Sequence, residues 1–184
     1  MSMSLRFHTV SNTDITEILE NPLKLYILYN GHYQDDSVMN EIGNDKNKSL
    51  LNWTPKIESE TFFVDGMFQS LQYILTEEIE WNKSEFPFNF LSGKRIDIGE
   101  IGWGKATFYN SEDVNTISNY LKNIDYIEIR KRYNSEIFNE KKFYPSGYNW
   151  SENDADRLII KLKELSEFIS NTNEKGLGIY RVLI

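Results

Sequence analysis

The sequence predicts one α+β domain spanning residues 1–184, with several amphipathic helices packed on a small sheet. Three observations carry that expectation. Strand-like stretches lie near both ends, SLRFHTV (4–10) and GIYRVLI (178–184). Between them, apolar residues recur at helical spacing in three long segments. With 184 residues, 40% of them apolar, the chain fits a single domain with a sizeable core.

Taken in order, SLRFHTV is rich in β-formers and partly alternates. Ser11 then stands where a helix N-cap belongs, its hydroxyl able to accept from a free first-turn amide. Asp14 favours the positive end of that helix. Ile15, Ile18 and Leu19 form its apolar stripe, and it ends before Pro22. PLKLYILYNG predicts a second short helix, with Pro22 early and Gly31 as its stop. Residues 31–60 are polar, with scattered apolar positions, and predict a long loop around a short helix.

VDGMFQSLQYILTEE (64–78) is a clearer helix. Asp65 is its candidate cap, and Met67, Phe68, Leu71, Ile74 and Leu75 share one face. Gln69, Gln72 and Thr76 mark a different face. SEDVNTISNYLKNI (111–124) reads as a helix capped by Ser111, with Val114, Ile117, Leu121 and Ile124 as its stripe. DYIEIRKRYNSEIF continues helical from Asp125, with Glu128 near capping-box spacing. FYPSGYNW (143–150) is a turn-rich aromatic loop. NDADRLIIKLKELSEFISN (153–171) is the longest helix, with Leu158, Leu162, Leu165 and Ile169 inward.

Composition narrows the function. There are 28 acidic and 20 basic residues, a net charge of −8, so a polyanion is repelled on average and a basic partner is favoured. The absence of cysteine excludes disulfides, thiolate catalysis and Cys-type zinc sites. His8 and His32 are the only histidines, too few for a three-His metal site. No cofactor or metal is called for. The N-terminus has no apolar signal-peptide core, and no run of about 18 apolar residues exists; a cytoplasmic protein without membrane contact is the expectation.

The stretch GEIGWGKATF (99–108) has the glycine and lysine spacing of a phosphate-binding P-loop. A P-loop, however, needs a Ser or Thr directly after the lysine, on a helix starting there. Ala106 holds that place, and KATFY is β-rich. The preferred reading is a tight turn between strand-like RIDI and ATFY.

Other constellations have bland readings beside sharp ones. Gln69 and Gln72, three apart on one helix face, could wall a small-ligand pocket with Trp103, Lys105 and Tyr109, or simply form a solvated face. IRKRY (129–133) could touch phosphate, but cations are also favourable near a helix C-terminus. TEEIE (76–80) and SENDAD (151–156) offer paired carboxylates, and the second sits where a helix starts. Trp103, Phe108, Tyr109, Phe143, Tyr144, Tyr148 and Trp150 lie in two loop-and-turn segments, either filling a core or forming an aromatic surface.

Taken together, these stretches resemble the YfbM-like family, small bacterial domains of unestablished function. The resemblance runs over nearly the whole chain. MSMSLRFHTVSNTDITEILENP is similar to the family opening of strand, Val-Ser and short helix. VDGMFQSLQYILT resembles the family helix D-K-x-W-x-x-L-H-x-L-L-T-G, with Asp65, Leu71, Leu75 and Thr76 in place. IGWGKATFYNSEDV resembles its glycine-aromatic segment, and IEIRKRYNSEIFNEKKFYPSGYNW its L-R-K-x-F block and later Y-P, matched by Arg130, Lys131, Tyr144 and Pro145. Phe68, Gln72 and Glu77 replace the family's Trp, His and Gly. The resemblance implies an α+β domain with helices against a small sheet, and no mechanism.

The functional expectation is a non-catalytic protein-interaction module, in one concrete version an immunity-like protein neutralising a basic toxin. Its candidate ligand or partner surface comprises Gln69, Gln72, Trp103, Lys105, Tyr109, Tyr144 and Trp150. The alternative is a small-molecule-binding protein or enzyme with a pocket around Gln69, Gln72, Trp103 and Tyr109.

Overall fold

A computed structural model describes residues 3–29, 50, 52–79, 84–92 and 106–184. The glycine stretch 99–105, with Trp103 and Lys105, lies outside the described residues, as do Gly31 and His32.

Among the described residues, four strands form one antiparallel sheet: β1 (Ser4–Val10), β2 (Thr61–Asp65), β3 (Thr107–Tyr109) and β4 (Gly178–Leu183), in the order β2-β1-β4-β3. β1 is central and pairs with β2 on one side (Arg6↔Phe63, His8↔Thr61) and with β4 on the other (Phe7↔Arg181, His8↔Tyr180). Side chains alternate across a strand. Leu5, Phe7, Phe62, Val64, Ile179 and Tyr109 therefore face one way, and Arg6, His8, Phe63, Tyr180 and Phe108 the other.

Among the described residues there are seven helices. α1 (Asn12–Glu20) and α2 (Lys24–Leu28) follow β1 and cover part of the second, outer face, where Ile15, Ile18, Leu25 and Leu28 pack with Phe108 and Tyr180. α3 (Phe68–Thr76), α4 (Ser111–Lys122), α5 (Tyr126–Lys131), α6 (Ser135–Glu140) and α7 (Asp154–Glu174) enclose the larger core on the inner face. None of the described helices is long and apolar enough to cross a membrane.

Local chemistry sets most element ends. Ser11 caps α1, its hydroxyl accepting from the Asp14 amide. Asp125 and Asn134 cap α5 and α6, each accepting two amides. That second cap splits the stretch 125–138, expected as one helix, into two at Tyr133–Asn134. Asn110 caps α4 in place of Ser111, reciprocally with Asp113. Asp65 closes β2 and does not cap α3; TFFVD alternates and pairs with β1, so the chain stays extended to residue 65. Leu19 is 53% exposed and falls outside the α1 stripe.

α7 starts at Asp154, from the SENDAD cluster. Its carboxylate is 3% exposed and accepts from the Ser151 amide and hydroxyl, the Tyr148 hydroxyl and Arg157. Burial alone would raise its pKa; these hydrogen bonds outweigh burial and hold it below the usual value. Its neighbour Asp156 pairs with Arg130 at 2.7 Å.

Two tests follow from these contacts. A Cβ on Gly178 would stand 2.6 Å from both the Tyr109 carbonyl oxygen and Ile15 Cδ1. Gly178→Ala is expected to destabilise by about 1–3 kcal/mol in urea unfolding. A carboxyl with a depressed folded-state pKa contributes stability present above its unfolded pKa and lost as pH falls through the folded value. Asp154→Asn should cost about 2 kcal/mol at pH 7, and its difference from the unmutated protein should shrink below about pH 4.

Candidate functional site

Of the residues singled out in the sequence, the structure describes Gln69, Gln72, Tyr109, Tyr144 and Trp150, and these do not share one exposed surface. Tyr109 is fully buried, its hydroxyl 2.6 Å from the Phe90 carbonyl oxygen. Burial pushes that hydroxyl up to about 12, against the opposing charge of Arg181. Trp150 is 4% exposed, packed edge-on against Phe138, and its backbone is clamped by both ends of the Asn139 amide. Tyr144 is half-buried, stacked on Phe68, with its hydroxyl accepting from the Met3 amide. Gln69 does meet Tyr144, but only to accept its backbone N–H at 2.9 Å. These aromatics are core and clamp, because the 143–150 loop folds back onto α3 and α6.

Gln72 leads somewhere else. It is 3% exposed, and its Nε2 donates to the Phe88 carbonyl at 3.2 Å. Its Oε1 is buried without a hydrogen-bond partner. Gln72 thus ties segment 84–92 to the end of α3. Arg132, just after α5, reaches the same place. Its Nη1 donates to the carbonyls of Ile74 (3.1 Å) and Leu75 (2.8 Å), and its Nε lies 3.4 Å from Glu77. The cation satisfies carbonyls that a helix C-terminus leaves open.

Between these ties lie two adjoining hollows of about 440 and 220 Å³. They share Leu75, Phe88 and Arg132. Tyr120, Ile124 and Ile129 add an apolar floor, and Tyr120 meets the Phe88 ring edge-on at 5.1 Å. The walls carry Glu77, Glu78, Glu85, Asp125 and Glu128, with Arg132 the one cation in the lining among the described residues. Glu128 pairs with Lys131 at its edge. Glu78, Glu85 and Asp125 form no ion pair among the described residues. Phe88 is 47% exposed at the junction, and Ile79 and Ile127 are exposed nearby in the chain.

The groove is acidic, apolar-floored and open. Its chemistry suits a cationic side chain beside an apolar one. Arg130, Lys131 and Arg132, the basic cluster of the sequence, each face a carboxylate: Asp156, Glu128 and Glu77. Of the groove, TEEIE, the Asp125/Glu128 pair and Arg132 of IRKRY stood out in the sequence. Phe88 and Glu85 carried no signal, since they meet the end of α3, Arg132 and, for Phe88, α4 only in the folded chain.

The fold and the groove define a class: a one-domain α+β protein with helices on both faces of a four-stranded antiparallel sheet. Residues 1–181 match the family described as a domain of unknown function, DUF1877, and the chain belongs to that family. A solved structure, the YfbM protein of unknown function from Escherichia coli, is similar over 100% of both chains, with a TM-score of 0.66 at 15% identity. That likeness establishes the shared fold. No curated protein matches the chain.

Glu77, the wall residue at the end of α3, has φ 59°, a left-handed conformation that favours glycine. Glu77→Gly should relieve about 1 kcal/mol of backbone cost and lose only a weak, exposed ion pair with Arg132. The expected net effect is a higher urea midpoint with an unchanged slope.

Proposed function

We propose that this protein acts by binding another protein, through the acidic groove between α3, segment 84–92 and α5. The observation that carries the reading is Phe88, half exposed on an apolar floor and ringed by carboxylates, three of which form no ion pair among the described residues. The fitting occupant is a basic protein segment that places an apolar side chain against Phe88 and a Lys or Arg beside Glu78, Glu85 or Asp125. Charge complementarity would speed encounter and fix register, and the apolar contact would supply affinity. An immunity-like protein neutralising a basic toxin is the concrete version of this role. The chain's net charge of −8 favours it.

The test compares two baits in extracts of the native host: the unmodified protein and a Phe88→Ala/Glu85→Lys variant. Both positions are exposed, so the variant keeps its fold. A basic protein held by the first bait at low salt, depleted at least tenfold on the second and released by high salt, is the expected result. Equal retention on both baits, or no basic protein on either, would overturn the reading.

A further inference from the structure

The outer face of the sheet carries a second feature, on the opposite side from the inner core. Register places Arg6 and His8 of β1 beside Phe63 and Thr61 of β2, with Tyr180 of β4 across from His8. α1 and α2 cover only part of this face. Over the remainder lies a cleft of about 560 Å³, walled by Tyr29, Trp53 and the segment 54–59. That size is within the range of small-molecule sites.

The cleft is a built surface. His8 stacks on Tyr180 at 4.5 Å and 9°, meets Tyr29 edge-on at 6.0 Å, and has its Nδ1 2.9 Å from the Thr61 hydroxyl. Trp53 is held from outside: its Nε1 donates to Glu17 at 2.5 Å, and Lys24 bonds the same carboxylate oxygen at 3.0 Å. Those hydrogen bonds, Lys24 first, keep the Glu17 carboxyl below its usual range. Glu17 is thereby engaged with Lys24 and Trp53.

Arg6 stands apart. Its guanidinium lies 5.1 Å over the Phe63 ring, and its Nε–H is shielded from solvent without an acceptor. Among the described residues it makes no side-chain hydrogen bond and no ion pair. Glu58 also lines the cleft but forms no ion pair with it. A half-buried guanidinium with an unsatisfied donor is costly, and such groups normally find partners. Its planar fork matches a carboxylate or phosphate better than any neutral group.

We infer that this cleft binds a small organic anion, its carboxylate or phosphate group on Arg6 and its planar apolar body against the His8, Tyr29, Tyr180 and Trp53 rings. The site is separate from the acidic groove and stands on other residues.

The test uses phenyl phosphate, benzoate and the neutral benzyl alcohol as probes, with calorimetry on the unmodified protein and on Arg6→Gln. Phenyl phosphate or benzoate should bind at least tenfold more tightly than benzyl alcohol, and Arg6→Gln should remove that preference. Which anion binds more tightly assigns the head group. On the unmodified protein, ¹H–¹⁵N spectra should show the Arg6 Nε–H and Trp53 Nε1–H signals moving with the probe, which keeps the test decisive even if Arg6→Gln does not fold. Neither anion binding, benzyl alcohol binding equally well, or shifts confined to residues outside the cleft would overturn the inference.

Discussion

The antiparallel pairing of β1 with both β2 and β4 is the constraint on which the rest depends. β1 is the one strand that gives each face of the sheet its character. Leu5 and Phe7 enter the large core; Arg6 and His8 look out under α1 and α2. A slip of one residue would exchange the two sets. It would bury a guanidinium and expose Phe7, so the hydrophobic effect itself guards the register. Arg181, inward on β4, is tolerated because it donates to the Ser92 carbonyl and the Thr107 hydroxyl, which also anchors segment 84–92 to the sheet.

That anchored segment connects the core to the surface. Tyr109 and Gln72 hold the carbonyls of Phe90 and Phe88, and Arg132 holds the end of α3. Buried hydrogen bonds thus fix the position of an exposed phenyl ring. Rigid placement of this kind lowers the ordering cost of association. The groove is lined mainly by carboxylates and the outer cleft by aromatic rings around Arg6, and they lie on different elements, so one small domain presents two unlike surfaces.

Much of the architecture was legible in the sequence. β1, α4, α7 and β4 show their own period, and Leu158, Leu162, Leu165 and Ile169 are buried as their spacing says. β2 was not legible: five residues, TFFVD, abut the α3 pattern, and Asp65 imitates a cap. α5 and α6 were merged because Asn134 looks like any polar helical residue until its side chain turns back to two amides. Neither surface could be read. Tyr109 and Trp150 are indistinguishable from exposed aromatics in sequence, and Arg6 gains its meaning only from what three strands place around it. The family resemblance did carry the fold, and the positive φ at Glu77 marks a position where glycine would sit without strain.

The strand order has a temporal side. β1 is made early, yet its neighbour β4 is made last, and Ser4 and Ile184 exchange both backbone hydrogen bonds. Among the described strands, β1 has only β2 to pair with until residues near 180 emerge, and β3 waits for its partner β4 over the same interval. Such non-local pairing slows folding, because the entropy of closing most of the chain is spent before the contacts form. Throughout that interval the edge of β1 is an open template for other strands. A charge on an open strand edge disfavours pairing with a foreign strand, and Arg6 is the charged residue that β1 carries.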